Sequence, residues 1–454
     1  MSDAAVGALW AKGLPLDQLI HRFTVGNDPH DDRALLAPDC VGSAAHARML
    51  AEQGLLSAAD ASLLVHSLAG LRQRALRGEL MIAAAQEDAH TAIEQALTAE
   101  CGEAGKRIHL GRSRNDQVIL ALRLHLRERW VEIADALGRL AGALHSFAAV
   151  NEAVELPGYT HLRAAMPSSW GQWGVAQVET ALEDLEALDS VWSRLDRCPL
   201  GAAAGFGVPL PLNRERVAQL LGFSRVQRSP IAVQNSRGRI EQVFLDALAS
   251  MAAGIEKWVW DLSLYSMSEF GFVRLPDAYT TGSSIMPQKR NPDVLELARA
   301  RCRELRGMAE WHRQIVTGLP GNYHRDLQLH KRPLLLALDA AQELLEVLTH
   351  LLPALIIDAE RCRAAMRDEL YATEAAYRLV AAGASFRDAY REVGTAVISG
   401  QFHADRSAPA ATHTGGLGSL ALDAAAEELA AAQARVSARR ALLTAIHQSV
   451  FAIA

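Results

Sequence analysis

One short loop, residues 280–293, concentrates the kinds of side chain that proton transfer requires. Its sequence is TTGSSIMPQKRNPD, with adjacent hydroxyl groups at Ser283 and Ser284 and an ammonium group at Lys289. A hydroxyl group can exchange a proton when a nearby cation stabilises its alkoxide. Glycine and serine are also typical of a turn followed by a helix cap, and on composition alone that interpretation is the better one.

Two further polar loops adjoin long helical patterns. One is GRSRN, residues 111–115, and the other is GYTHLRAAMP, residues 158–167, which contains His161. Taken singly, the first is typical of a solvated helix start, and the second could contain a structural histidine. Three such loops beside long helices favour a functional site, although sequence spacing cannot show that they meet in space.

The composition favours small-molecule chemistry in a soluble, cytoplasmic protein. The chain has 454 residues and a net charge of −6, with no dominant basic stripe for a nucleic acid. No apolar run approaches the ~20 residues of a membrane span, and the first residues lack the pattern of a signal peptide. The cysteines stand singly, which predicts neither disulfides nor a zinc site. They are Cys40, Cys101, Cys198, Cys302 and Cys362.

Long stretches without proline predict long helices. From residue 113 to residue 150, apolar residues recur every three or four positions, and Ser113 or Asn115 could cap the helix. The apolar residues are Val118, Leu122, Leu126, Trp130, Ile133, Leu137, Leu140 and Leu144. Similar patterns fill residues 168–195, 235–268, 293–316 and 332–352. No alternating strand pattern accompanies them, so we predict an all-α bundle whose exposed apolar faces are covered by other subunits.

The last quarter of the chain differs from the rest. It predicts two or three shorter helices, and then a Pro- and Gly-rich joint, RSAPAATHTGGLGS, leads to one alanine-rich helix. We therefore predict three domains. They are an N-terminal helical domain (1–108), a central long-helix domain (109–355) and a small C-terminal helical domain (356–454).

Several segments resemble the signatures of one enzyme superfamily. GSSIMPQKRNP in the first loop is similar to the signature of the aspartase/fumarase superfamily, and its form MPQKRNPD is similar to that of the argininosuccinate lyase family. Further resemblance lies in EDAHTAIE, GRSRNDQ, GYTHLRAAMP and NYHRDLQLHK. The likeness extends from about residue 20 to about residue 395.

The resemblance implies both a fold and a reaction. The implied fold is all-α with three domains, and its central helices form a homotetramer in which each active site draws its loops from three subunits. The implied reaction is a β-elimination that splits argininosuccinate into arginine and fumarate, the last step of arginine synthesis, without a cofactor or metal. Such a reaction needs cations and hydrogen-bond donors for the dianion that forms after loss of the Cβ proton. Neither a nucleic acid nor a membrane is an implied partner.

The family's catalytic residues match positions in the polar loops. Ser283 matches the proposed base, and Ser284 could share that role. His161 matches the acid, with Glu296 as the carboxylate that orients and charges its imidazole. Lys289 matches the cation beside the developing carboxylate. Further donors are matched by Thr160, Thr281 and Asn291.

The family's binding residues match positions in the other motifs. His90, Arg114 and Asn115 match the fumarate half of the substrate, where an arginine can grip a carboxylate with two hydrogen bonds. The opposite end of the substrate is matched by Tyr323, Gln328 and Lys331. For Lys331, a solvated charge at a helix start is an alternative interpretation.

The chain departs from the family pattern at two places expected to contact the substrate. Asp28 stands four residues before Asp32, where the family often has serine, and SRGR (236–239) stands where the family often has S-D-R-D. These changes could compensate for each other or could indicate a different amine half. One alternative is therefore a lyase that releases fumarate from another N-substituted aspartate. An alternative of another class is a non-catalytic structural tetramer, as in lens crystallins.

Overall fold

The computed structural model describes residues 17–406 and 411–452. The predicted absence of a signal peptide concerns residues 1–16, which lie outside the described residues, as does part of the predicted joint, 407–410. The α-helices of the described residues are, in chain order, α1 Gln18–Val25, α2 Asp28–Asp31, α3 Arg33–Glu52, α4 Ala58–Leu76, α5 Ala89–Cys101, α6 Glu103–Lys106, α7 Arg114–Val150, α8 Trp170–Leu195, α9 Arg214–Leu220, α10 Pro230–Gln234, α11 Arg239–Tyr265, α12 Asp293–Val316, α13 Lys331–Leu351, α14 Ala359–Ala364, α15 Ala372–Ala381, α16 Phe386–Ile398 and α17 Leu422–Ser449.

Short strands and 3₁₀ helices connect these helices. The strands are β1 Glu155–Thr160, β2 Arg163–Ser169, β3 Arg197–Cys198, β4 Arg225–Val226, β5 Val273–Arg274, β6 Thr281–Gly282, β7 Arg290–Asn291 and β8 Ile356–Ile357. They pair as β1–β2, β3–β4, β5–β8 and β6–β7. The 3₁₀ helices are Ala84–Gln86, Asp277–Tyr279, Arg325–Gln328, Leu352–Ala354 and Asp368–Tyr371.

The helix α7, with 37 residues, begins at a predicted cap. Ser113 Oγ accepts a hydrogen bond from Asn115 N–H at 3.3 Å, and Asp116 Oδ1 accepts one from Ser113 N–H at 2.9 Å. Ser113 is therefore the cap, and Asp116 completes a capping box. Every apolar residue predicted for the inner face of this helix is buried. At ~1.5 Å per residue, the helix is about 55 Å long.

The helix α7 is the axis of the core. It packs against α3, α8, α13 and α17, while α11 packs against α8 and α12. Their facing apolar side chains belong to one large hydrophobic cluster. This arrangement confirms the predicted all-α bundle. Among the described residues, no helix has both the length and the apolar character needed to cross a bilayer.

The β1–β2 hairpin lies where the sequence predicted no strand. The strands are antiparallel, and Thr160 lies opposite Arg163 beside the turn. The expectation of no strand is wrong at this hairpin. Burial along β1 does not alternate, since the neighbouring residues Leu156 and Pro157 are both buried. The period-two apolar pattern that identifies a half-buried strand is therefore absent.

The C-terminal helices divide between two hydrophobic clusters. The helix α17 packs against α7 and α8, and its Leu429, Val436 and Leu443 belong to the main core. The helices α15 and α16 pack against each other around a separate cluster that contains Ala376 and Val393. The three-domain division stays a prediction, and α17 lies with the central bundle by its contacts.

We expect Leu126→Ala to lower the free energy of unfolding by about 2–5 kcal/mol. Leu126 is fully buried in the main core, so the shorter side chain leaves a cavity. Leu76→Ala is the matched control, because Leu76 is 58% exposed at the end of α4, and its loss should stay below about 1 kcal/mol. Urea unfolding followed by circular dichroism measures both losses. Equal losses would contradict the central place of α7 in the core.

Candidate active site

One group of the predicted site residues lines a narrow cavity of about 130 Å³. The members of this group are Asp28, His90, Arg114, Asn115, Tyr323, Gln328 and Lys331. They come from the starts of α2, α5, α7 and α13 and from the segment at the 3₁₀ helix Arg325–Gln328. The fold thus joins residues as far apart in the chain as Asp28 and Gln328, which are 300 positions apart.

The starts of α5 and α7 are fastened together at this cavity. Asp88 caps α5 by accepting a hydrogen bond from Thr91 N–H at 2.8 Å. Arg114, the first residue of α7, donates from Nη2 to Thr91 Oγ1 at 2.9 Å, and its Nη1 lies 3.4 Å from Asp88 Oδ2. The cavity wall formed by α5 and α7 thus carries the guanidinium group of Arg114, with the carboxylates of Asp88 and Glu87 beside it.

Lys331 is buried between two carboxylates. Its Nζ lies 2.8 Å from Asp28 Oδ1 and also contacts Asp32 Oδ1. Burial disfavours the ammonium form, but the charges of Asp32 and Asp28 outweigh burial and raise the pKa of Lys331. Burial also raises the pKa of Asp28, and the charge of Lys331 opposes that shift. Lys331 is thus a buried ion-pair partner and not a solvated helix charge.

The two departures from the family pattern meet in one network. Gln328 Nε2 donates to Asp28 Oδ2 at 2.7 Å, and Arg237 Nη2 donates to Gln328 Oε1 at 2.8 Å. The guanidinium group of Arg237 also lies over the ring of Tyr323, 5.1 Å from its centroid. The additional carboxylate and the displaced arginine are therefore bridged by one amide, and their opposite charges offset each other at the cavity.

Sequence reasoning missed several charged residues of this cavity. Asp32, Glu87, Asp88, Arg237 and Arg325 also line it. Of these, Arg237 appears in the sequence interpretation only as part of a departure from the family pattern. Glu87 and Asp88 belong to the segment EDAH, so that motif could have identified them. Arg325 belongs to the segment NYHRDLQLHK, so that motif could have identified it as well.

Thr160 and His161 lie at the tip of the β1–β2 hairpin. The two residues of the turn, His161 and Leu162, have φ values of 54° and 58°. Such values cost a residue with a Cβ atom about 1–2 kcal/mol. His161 is exposed and lines a cavity of about 540 Å³ beside α8 and α11. A strained turn that presents a polar side chain to solvent is typical of a functional site.

Residues 281–291 form a second hairpin, which contains the polar loop. The strands β6 and β7 pair with Thr281 opposite Asn291 and close the loop. Asn291 Nδ2 donates to Thr281 Oγ1 at 3.4 Å. Thr281 Oγ1 in turn donates to Asp293 at the start of α12. The base of the loop is thus tied to a long helix of the bundle.

The two adjacent serines of this loop differ in their surroundings. Ser283 Oγ accepts hydrogen bonds from the backbone N–H groups of Ile285 and Met286, at 3.3 and 3.2 Å. Within the described residues, the side chain of Ser284 makes no hydrogen bond and is exposed. Donors to an oxygen atom stabilise its negative form, so Ser283 is the better placed of the two to become an alkoxide.

The predicted site residues therefore occupy three separate places in one chain. Among the described residues, no hydrogen bond or ion pair connects the narrow cavity, the β1–β2 turn and the β6–β7 loop. The side chains of His161, Lys289 and Glu296 are exposed and form no hydrogen bond in the described part of the chain. The pairing of His161 with Glu296 is not formed within one chain and stays a prediction.

Comparison with known proteins identifies the family. A lyase family model matches residues 15–307. An argininosuccinate lyase from Sorangium cellulosum is 45% identical over 93% of this chain and 98% of its own length. The chain belongs to the argininosuccinate lyase family. Another argininosuccinate lyase, from Thermotoga neapolitana, is 38% identical over 85% of this chain and 97% of its own length. The predicted enzyme class, a lyase, is confirmed.

Solved structures share the fold of this argininosuccinate lyase family member. EDDS lyase in complex with formate matches with a TM-score of 0.81 at 23% identity, over 96% of this chain and 95% of that chain. A recombinant class II fumarase from Schistosoma mansoni matches with a TM-score of 0.71 at 15% identity, over 86% and 91%. At these identities the likeness shows the fold alone. It confirms the predicted aspartase/fumarase-type fold.

We expect Lys331→Met to lower the free energy of unfolding by about 3–5 kcal/mol at pH 8, because Asp28 and Asp32 stay buried without their cation. The loss should shrink towards pH 5. Without the ammonium group, the pKa of Asp28 rises further above the ordinary value of ~3.9. The folded variant then binds a proton that the unfolded chain does not, so it gains stability as the pH falls. Urea unfolding at both pH values measures the difference.

The matched control for this substitution is Arg332→Met. Arg332 is the next cation on α13, its side chain is 41% exposed, and it lies 3.5 Å from Asp31. Because solvent screens an exposed pair, we expect its loss to stay below about 1 kcal/mol at either pH. A loss for Lys331→Met as small as that of the control, or one that grows as the pH falls, would refute the buried ion pair.

Proposed function

We propose that this protein catalyses the reversible β-elimination of argininosuccinate to arginine and fumarate, the last step of arginine synthesis. The observation that carries the proposal is the 45% identity to an argininosuccinate lyase over 98% of that enzyme. The narrow cavity, the β1–β2 turn and the β6–β7 loop supply the groups that the reaction requires.

Ser283 is the proposed base. Abstraction of the weakly acidic Cβ proton requires an alkoxide, and an ordinary serine hydroxyl is less acidic than tyrosine, whose pKa is ~10. The two backbone N–H groups that donate to Ser283 Oγ favour the charged form. We assign the role to Ser283 rather than to Ser284, because these donors support one hydroxyl group and not its neighbour.

Lys289 is the proposed cation for the charge that follows proton loss. That charge spreads into the adjacent carboxylate, and the resulting dianion is stabilised by cations and donors that are already in place. The ammonium group of Lys289 is exposed and forms no ion pair with the described residues, so it is available to an incoming carboxylate. Asn291 and Thr281 lie together at the base of the same loop and are the proposed neutral donors, with Thr160 as a third.

His161 is the proposed acid that protonates the leaving guanidine nitrogen. The strained turn places its imidazole on the surface, where it can enter a site completed by another chain. Glu296, in the first turn of α12, is the proposed carboxylate that orients the imidazole and stabilises its charged form.

The narrow cavity is the proposed binding site for both ends of the substrate. Arg114, with Asn115 and His90, is assigned to a carboxylate of the fumarate half, because charge-assisted hydrogen bonds to carboxylates are strong. The residues assigned to the amine half are Asp28, Tyr323, Gln328 and Lys331.

The proposed active assembly is a homotetramer in which each site takes its loops from three subunits. Large apolar side chains of α12 and α13 support it, since Leu297 is 69%, Trp311 46% and Val347 40% exposed in one chain. Exposed apolar faces of this kind are typical of subunit contacts.

All five cysteines are free, which supports the cytoplasm as the compartment.

We expect Ser283→Ala to lower kcat by about 10²–10⁴-fold, because the variant lacks the base. The measurement is the rate of fumarate formation from argininosuccinate, followed by its ultraviolet absorbance. Ser284→Ala is the matched control and should stay close to the wild-type rate. Near-normal turnover of Ser283→Ala would make the base assignment wrong. If the wild-type protein forms no fumarate under saturating argininosuccinate, the proposed reaction itself is wrong.

We expect His161→Asn and Ser283→Ala to be nearly inactive separately and to regain part of the activity when mixed. In a shared site, a mixed tetramer contains some positions where the intact histidine of one subunit meets the intact serine of another. The two variants are unfolded together, refolded together and assayed, and each variant refolded alone is the control. If both residues acted within one chain, mixing would restore nothing.

A second substrate class is favoured by one specific observation. The network of Asp28, Gln328 and Arg237 places a carboxylate and a guanidinium group at the amine end, where the family pattern often has other side chains. An N-substituted aspartate with another amine half is therefore the alternative substrate. A higher kcat/KM for such a compound than for argininosuccinate would decide in its favour.

A further inference from the structure

His90 and Asp39 form a buried pair at the edge of the narrow cavity. His90 Nδ1 lies 2.9 Å from Asp39 Oδ2, and each side chain is only 4% exposed. Asp39 belongs to α3 and His90 to the first turn of α5, so the pair also joins these two helices. Ser43 Oγ lies 3.5 Å from the other carboxylate oxygen of Asp39 and accepts a hydrogen bond from Arg112 at 2.8 Å. The carboxylate of Asp39 is thus held from both sides.

The other ring nitrogen of His90, Nε2, has no partner among residues 17–406 and 411–452. It is buried and makes no hydrogen bond with them, and His90 lines the narrow cavity. A buried polar atom without a hydrogen bond costs about 1–3 kcal/mol. An oxygen atom of a ligand in the cavity would satisfy it. Because Asp39 holds Nδ1, Nε2 is the nitrogen left for that ligand.

The carboxylate of Asp39 makes His90 different from another buried histidine nearby. His46 also lies on α3 and is 1% exposed, but its Nε2 contacts the carbonyl oxygen of Leu110 at 2.8 Å. Burial, and then the charge of Arg112, lower the pKa of His46 well below its usual range. Burial also acts against the charged form of His90, but Asp39, Asp88 and Asp32 outweigh it and raise the pKa of His90. Two histidines of similar burial therefore have pKa values shifted in opposite directions because of their partners.

We propose that Asp39 is a positioning residue, which holds His90 as an imidazolium whose Nε2–H donates a hydrogen bond to a carboxylate of the fumarate half. The inference rests on the proposed function, which supplies a dicarboxylate to this cavity. No proton is transferred in this step, because the imidazolium acts as a charged donor and keeps its proton. Charge-assisted hydrogen bonds of this kind are roughly twice as strong as those between neutral groups.

Other charged groups surround His90 and bear on its titration. The acidic groups are Asp32 and Asp39 at the start of and within α3, and Asp88 and Glu94 at the cap of and within α5. The remaining titratable groups are His109 and Arg112 in the segment before α7, Arg114 in α7 and Lys331 in α13. Burial lowers the pKa of His109 to about 4, so this neighbour does not titrate near neutral pH. The charges of Asp88 and Asp32 remain when Asp39 is replaced.

The experiment measures fumarate binding to the intact protein by calorimetry between about pH 6 and pH 9. In the wild-type protein, affinity should fall as the pH rises through the raised pKa of His90, because the imidazolium is then lost. In Asp39→Asn, the midpoint pH of this fall in affinity should move down by at least about one unit. At pH values above the midpoint, such a shift lowers the protonated fraction of His90 about tenfold. Affinity at the lowest pH should stay close to that of the wild type. Ser43→Ala is the matched control, since it keeps the carboxylate, and its midpoint should not move.

Each outcome decides between the two proposals or overturns one of them. An unmoved midpoint in Asp39→Asn, or an affinity that falls equally at every pH, overturns the role of Asp39. If Asp39→Asn does not fold, His90→Gln takes its place, and fumarate binding that keeps its pH dependence in that variant overturns the inference. The cleavage of argininosuccinate by the wild-type protein is measured separately. If the wild-type protein does not cleave argininosuccinate but still binds fumarate with this pH dependence, the proposed reaction is wrong. The role of Asp39 beside His90 then still stands.

Discussion

The pairing of buried charges determines the shape of the narrow cavity. Lys331 cannot remain charged inside the protein without carboxylates beside it, and Asp28 and Asp32 provide them. Because Lys331 begins α13 and Asp32 lies 299 positions earlier, this contact holds the first turn of α13 against the N-terminal helices. Gln328 and Arg237 extend the same network, so one set of charges positions several walls of the cavity.

The helical bundle is the rigid part of the molecule, and the two hairpins carry the proposed reactive groups. The helix α7 is packed along its length by α3, α8, α13 and α17, and its start is capped and tied to α5. The proposed acid and base lie outside this core, on the β1–β2 turn and the β6–β7 loop, where strain and exposure are tolerated. A rigid scaffold with the proposed acid and base on short hairpins fits the proposed site that is shared between subunits.

Much of the fold was predictable because helix formation depends on neighbouring residues, whose apolar spacing and capping groups are visible in the sequence. The predicted helix at 293–316 has the same bounds in the structure, and α7 starts at the cap that its sequence indicated. The β1–β2 hairpin was not predictable, since its burial does not alternate. Its turn also lacks the usual glycine or asparagine signal, because His161 and Leu162 adopt the positive φ values themselves.

The sequence by itself determined which helices form, where polar loops interrupt them and which motifs resemble one family, because periodicity, capping and motifs are properties of neighbouring residues. Tertiary structure alone decided that Asp39 faces His90 and that Asp28 and Arg237 share Gln328. The local backbone geometry of the β6–β7 loop gives Ser283, rather than Ser284, two donors, from the residues two and three positions later. The long-range contacts join residues 51 to 300 positions apart, and spacing along a chain does not specify which distant side chains meet.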